Sequence, residues 1–211
     1  MIIFRSHEQE QFFKLVQKHI DEPDAPLLLE GATGLGKTLP FLVAAAASGK
    51  KVAIVLPTHQ LIDQILTSWD LKATLAAHPT VTIKAFRPKS HFEDAPKDYT
   101  AQKGEASEAD IMFCTSVSVI IDQRLGGEYN GATNRDVIIF DEADQLPQFA
   151  ALASDLSISR QDLKSLGISE SSPKETITAI YKKKNAPSEI TAMARLIEEA
   201  IGLGDVWFIK V

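Results

Sequence analysis

The chain has 211 residues, 45% hydrophobic and 24% charged, with a formal net charge of −6. That length buries one sizeable core and a small appended unit, and no apolar run approaches the roughly 18 residues of a membrane span. The single cysteine, Cys114, excludes a disulfide framework and a four-cysteine metal site, and the start "MIIFRSHEQEQ" is too polar for a secretory signal, so a cytoplasmic protein without membrane contact is predicted.

In chain order, "FFKLVQKHI" has the spacing of an amphipathic helix. "PLLLEGA" (26–32) reads as a buried strand running into a glycine loop, and "TLPFLVAAAASG" as a helix ended by Gly49. "KVAIVLP" predicts a strand, "HQLIDQILTSWDLKATL" a helix and "TVTIKAF" another strand. The polar stretch from Arg87 to Ala109 alternates in charge sign and reads as a loop or small insertion, partly mobile, on the surface of the lobe. "DIMFCTS" resumes the sheet with Cys114 buried in it, "VSVIIDQRL" is helical, "GGEYNGATN" is a loop, and "DVIIFDEAD" is an apolar strand covered on both faces. Strands alternating with helices predict an α/β fold with a mostly parallel sheet. Beyond residue 150, "SRQDLKSLG", "SPKETITAIYKKK" and "PSEITAMARLIEEAIG" read as short helices, giving an organisation of 1–150 and 151–211. The closing "DVWFIKV" is strand-like and uncapped, which suggests part of a longer polypeptide.

Two stretches carry chemistry. "GATGLGKT" fits G-x-x-x-x-G-K-[ST], with an apolar run before it and a helical pattern after it. Gly31, Thr33, Gly34, Gly36, Lys37 and Thr38 are its candidate nucleotide contacts. The glycines let backbone N–H groups wrap phosphates, Lys37 reaches the β and γ oxygens, and the Thr38 hydroxyl ligates Mg²⁺. Pro40 is tolerated because the first helical turn has few internal N–H bonds to lose. About a hundred residues downstream, "VIIFDEAD" sets Asp141 and Glu142 at the carboxyl end of a strand, where ligands of open α/β sheets collect. One carboxylate is needed to hold the metal and a second to activate water, so Asp141 is the candidate metal ligand and Glu142 the catalytic one. Together the two motifs predict ATP·Mg²⁺ binding.

"GATGLGKT" with "DEAD" resembles the superfamily 2 helicases over roughly residues 4 to 150. The resemblance implies a RecA-like ATP-binding motor lobe. It implies that "LPTHQLIDQI", through Pro57, Thr58 and Gln60, touches a nucleic-acid backbone, and that "FCTSVSVI" does so through Thr115 and Ser116. Thr and Ser are also ordinary helix N-caps, so each position has a purely structural use as well. The acidic net charge gives no global attraction for nucleic acid, which makes any such surface local. Arg5 and Gln9 in "FRSHEQEQF" resemble the short motif whose glutamine reads adenine.

Within the superfamily, "PTHQL" stands where the DEAD-box family has "PTREL", and "ESSPKETIT" where that family has a Ser-Ala-Thr segment. The chain looks more like the DinG/XPD-like DNA helicases, through "LLLEGATGLGKTLPFLVAA" and the helical region after the acids, which suits the start of an arch-type insertion. Many of that family carry an iron–sulfur cluster on four cysteines; 83–110 contains none, so no cluster is expected. The cluster-free DinG-like proteins include those associated with type IV CRISPR systems, which makes a CRISPR effector complex a candidate partner.

A helicase hydrolyses ATP between two lobes, the second of which supplies an arginine. No such segment occurs here, so the expected partners are single-stranded DNA and a second motor lobe of the same polypeptide, with 5′ to 3′ polarity by resemblance. The competing reading is a stand-alone ATP-binding switch or interaction module that unwinds nothing.

Overall fold

The computed structural model describes residues 3–22, 25–32, 34–92, 96–152, 158, 160–169 and 173–202. Along the chain come α1 (His7–Asp21), α2 (Thr38–Ala47), β1 (Val52–Leu56), α3 (His59–Thr67), α4 (Trp69–Ala77), β2 (Ile83–Ala85) and a 3₁₀ turn (Lys89–Phe92). Next are α5 (Pro96–Glu108), β3 (Ile111–Thr115), α6 (Ser116–Arg124), β4 (Val137–Phe140), α7 (Leu146–Leu152), α8 (Arg160–Ser165), α9 (Pro173–Tyr181) and α10 (Ser188–Gly202). All strand pairs are parallel, in the order β2-β3-β1-β4. This is the α/β, RecA-like arrangement expected from the sequence.

β1 lies inside the sheet because every one of its residues is apolar and buried. Its alternate side chains serve two cores. Val52, Ile54 and Leu56 join Ile111 and Phe113 of β3 beneath α2, α3 and α4, through Phe41, Leu42, Ile62, Ile65 and Leu71. Ala53 and Val55 join Met112 and Cys114 on the opposite face, against Tyr99 and Ala106 of α5 and Val119 of α6. Helices on both faces explain why β1 and β3 read as unbroken apolar runs. The register pairs Leu56 with Thr115 and Val55 with Phe140, and Asp141 N–H donates to the Val55 carbonyl at 2.9 Å. Pro57, Thr115 and Asp141 therefore arrive at one edge of the sheet, the carboxyl edge.

Several expectations need correction. Residues 26–32 form no strand: Leu28 is 86% exposed and Leu27 44%. An apolar triplet makes a strand only by pairing, and among the described residues the sheet ends at β4 with 26–32 unpaired. The single helix expected after β1 is two, because Ser68 ends α3 and caps α4, accepting from Leu71 N–H at 3.1 Å. The expected loop from Arg87 to Ala109 is mostly the 3₁₀ turn and the 13-residue α5. Pro96 suits a first helical position, and the burial of Tyr99 and Ala106 holds α5 to the sheet. β4 is half-buried rather than covered on both faces. The closing "DVWFIKV" lies outside the described residues.

Two polar devices fix the far side of the lobe. Asp122 of α6 is fully buried and holds the loop "GGEYNGATN" from within. One of its oxygens accepts the N–H groups of Asn130 and Gly131 at 2.7 and 3.0 Å; the other accepts the Thr133 N–H and hydroxyl at 2.9 and 2.7 Å. The Arg135 guanidinium donates to the carbonyls of Val52, Ala106, Ser107, Ala109 and Asp110, stitching β1 to the end of α5. The helices beyond α7 form a core of their own, with Leu163, Ile168, Ile177, Ile180, Ile190 and Ala194 packed together. An ion pair between Lys89 and Asp162 joins α8 to the 3₁₀ turn. Among the described residues no helix is long and apolar enough to cross a membrane.

Candidate active site

The glycine loop leads directly into α2, the best-buried helix of the lobe, with every residue from Leu39 to Ala46 inside. A helix so anchored presents its first N–H groups in a fixed place, and these are the donors a phosphate needs. Gly34 and Gly36 have φ of +83° and +73°, a region open to glycine at little cost. Around Gly36 space is closed as well, since a Cβ there would stand 2.7 Å from Gln9 Nε2. At Gly31 a Cβ would meet the Lys37 stem at 3.0 Å. Among the described residues Lys37 Nζ reaches only the Gly31 carbonyl, at 3.5 Å, which leaves most of its donor capacity for an anion. Thr38 is the first residue of α2. Thr33 lies outside the described residues.

Gln9 occupies a place the sequence did not suggest. It is 1% exposed, and all of its bonds are internal. Oε1 accepts from Arg5 N–H at 2.7 Å; Nε2 donates to the carbonyls of Leu35 and Gly36 at 3.2 and 2.8 Å. Ser6 sets this up by capping α1, accepting from Gln9 N–H at 3.2 Å. Gln9 is thus a strut between α1 and the glycine loop, and the Arg5 guanidinium reaches on to Asp70 of α4 at 3.5 Å. Gln9→Ala is expected to lower stability by about 2 kcal/mol, the cost of stranding buried partners, and to weaken nucleotide binding at the same time. Thermal melts with parallel nucleotide titrations check this. An altered base preference with an unchanged melting temperature would speak for adenine reading instead.

Asp141 follows β4, and Glu142 follows it in a left-handed conformation, φ 54° and ψ 49°, the one non-glycine residue with positive φ among those described. For glutamate that backbone costs on the order of 1 kcal/mol. It places Glu142 N–H 3.2 Å from Asp141 Oδ1 and leaves the Glu142 side chain exposed. Burial pushes the Asp141 carboxyl above its ordinary value; the Glu142 charge adds to this, and the Lys37 ammonium opposes it. The glycine loop and the acidic pair therefore act on one another across a single site. A divalent cation fits this donor set: a hydroxyl at Thr38, a partly desolvated carboxylate at Asp141, and a lysine with spare donors for the accompanying phosphates.

The two segments expected to meet nucleic acid flank this edge. Thr58 caps α3, its hydroxyl accepting from Leu61 N–H at 3.3 Å; Pro57 is buried, while Thr58 and Gln60 are exposed. Thr115 caps α6 in the same way, accepting from Ser118 N–H at 3.3 Å and sharing a 2.9 Å bond with the Ser118 hydroxyl. Thr115 and Ser116 are buried, so the exposed part of this edge belongs to the α3 segment. His59, which no sequence signal singled out, stands beside Thr58 and contacts Arg87 and His91. The only hint of it was its place directly after the Pro-Thr pair.

The model of the type III restriction enzyme res subunit family matches residues 2–186. No curated protein matches the chain. The family match supports a superfamily 2 helicase motor lobe of the ATPase type, in agreement with the parallel sheet, the glycine loop and the acidic pair. Since it spans most of the sequence, the chain belongs to the type III restriction enzyme res subunit family.

Proposed function

We propose that this chain is the N-terminal motor lobe of an ATP-dependent DNA helicase, which binds ATP·Mg²⁺ at the glycine loop and a single-stranded DNA backbone beside it. The observation that carries the reading is the placing of Asp141 at the carboxyl end of the sheet, its N–H bonded to Val55, where the charge of Lys37 from the glycine loop opposes the burial of its carboxyl. Gly31, Thr33, Gly34 and Gly36 would shape the loop around the phosphates, Gln9 would brace it near the base, and Lys37 would hold the β and γ oxygens. Thr38 and Asp141 would retain Mg²⁺, whose contribution is to neutralise charge on the phosphates, and Glu142 would orient the attacking water. Pro57, Thr58 and Gln60 at the start of α3, with Thr115 and Ser116 at the start of α6, would bind successive phosphates through helix-terminal N–H groups.

By resemblance to the DinG/XPD-like enzymes the polarity is 5′ to 3′, α8 to α10 begin an arch-type insertion, and 1–150 is the motor lobe proper. The single cysteine supports a cluster-free member, of the kind that works with a type IV CRISPR complex. A second lobe supplies the arginine, so turnover by this chain alone is slow.

The test is to separate the carboxylates. Asp141→Asn should weaken nucleotide binding only when Mg²⁺ is present; Glu142→Gln should spare binding and abolish residual hydrolysis. Titrations with and without Mg²⁺ decide it, and equal loss in both variants would contradict the roles. Stability gives an independent sign. The folded Asp141 holds its proton above the ordinary carboxylate value, so its contribution is complete at low pH and is lost as pH rises through the raised value. Asp141→Asn should therefore melt higher than the unsubstituted chain at neutral pH, with the difference closing in acid.

A further inference from the structure

Beside the α3 segment sits a group of side chains that the ATP site does not use. His59 on α3 and His91 on the 3₁₀ turn meet edge to face, ring centres 4.9 Å apart and planes at 61°. Arg87 braces them: its Nη1 donates to His59 Nδ1 at 2.9 Å and, at 3.4 Å, to the His59 carbonyl, while Nη2 pairs with Asp63. The Arg87 side chain is only 16% exposed, and its backbone N–H is held by Gln102 of α5 at 3.0 Å. The turn beneath His91 is equally fixed, since Phe92 packs on Tyr99 of α5 and His91 N–H bonds the Pro88 carbonyl.

This arrangement is more than a pair of solvated histidines. Arg87 has no lone pair to offer, so His59 Nδ1 must accept, and the ring proton stands on Nε2. Neither His59 Nε2 nor either ring nitrogen of His91 has a hydrogen-bond partner among the described residues, and His91 is exposed. Burial, then the charge of Arg87 and then His91, pull the His59 pKa down, so its ring is neutral at physiological pH. What faces solvent is a firmly held aromatic surface with a free N–H on His59, next to the exposed Thr58 and Gln60. Such surfaces bind unpaired bases by stacking.

We propose that His59 and His91, braced by Arg87, form a stacking site for a base of single-stranded nucleic acid passing the N-terminus of α3. The proposal rests on the reading of that terminus as a backbone-binding segment, and adds a base contact to it. A stacked base interacts through its face, so the site tolerates any sequence and contributes little to salt dependence.

The experiment titrates the full chain with a labelled oligothymidylate at several salt concentrations, beside a titration with a fluorescent ATP analogue. His91→Ala should weaken the oligonucleotide roughly tenfold, with the salt slope unchanged. His91→Phe should retain most of the affinity, and both variants should bind the ATP analogue normally. Unchanged oligonucleotide affinity in His91→Ala overturns the proposal. So does a salt slope reduced by about one with His91→Phe equally weak, which identifies a charge contact. If the unsubstituted chain binds the ATP analogue but no oligonucleotide, the reading of the α3 segment fails and takes the stacking site with it, leaving the ATP site standing.

Discussion

Lys37→Ala is expected to weaken nucleotide binding by about a hundredfold or more while leaving the melting temperature almost unchanged. The two halves of that result have separate causes. Among the described residues the Lys37 ammonium makes one long contact, 3.5 Å to the Gly31 carbonyl, so little stability depends on it. In the complex it would meet two phosphate oxygens in a partly desolvated site, and each hydrogen bond to a charged partner is worth about 1.5–3 kcal/mol. Removing it also leaves Asp141 without the one positive charge that offsets its burial and the neighbouring Glu142. Isothermal titration with an ATP analogue and Mg²⁺, beside a thermal melt, checks both halves. Undiminished affinity would show that the glycine loop does not hold phosphates.

The largest effect on stability is expected far from the nucleotide. Asp122→Ala should cost about 3–5 kcal/mol, since a buried carboxylate that satisfies four donors leaves three backbone N–H groups stranded when removed. For a chain of this size that is a fall of about 10 °C in melting temperature. Asp122→Asn should recover part of it, because one amide oxygen can still accept from two of the donors. Nucleotide affinity measured well below the transition should be preserved in both variants. A fall of only a degree or two in Asp122→Ala would mean that water replaces the carboxylate and the loop is not pinned from within.

Where packing and periodicity agree, the elements were legible. β1 is a run of five apolar residues and β3 of four before Thr115, both closed on both faces, and α2 is a helix so apolar that its burial followed from composition alone. The kind of motor was legible too, because the glycine spacing followed by paired acids pointed to the helicase-type ATPase lobe that the family match supports. Three things were hidden. The triplet Leu27–Leu29 looks like a strand by itself, but pairing is decided by partners that the local sequence does not show. α5 was masked by its charges, since among its described side chains only Tyr99 and Ala106 are buried and two buried residues make no visible stripe. Gln9 stood out only by resemblance, and its bracing of the glycine loop was hidden because a glutamine on a polar helix reads as solvated and its partners stand 26 and 27 residues away.

The burial of Cys114 in β3 has a practical consequence. It is the sole thiol of the chain, lies in the second core under α5 and α6, and burial pushes its pKa up to about 12. At pH 8 only about one thiol in ten thousand would be ionised even if a reagent could reach it. Alkylation therefore waits for the sheet to open, and the labelling rate reads out the frequency of that opening directly. The chain comes with a built-in clock for its own unfolding, one that runs without an added probe and would register any ligand that slows the opening of the sheet.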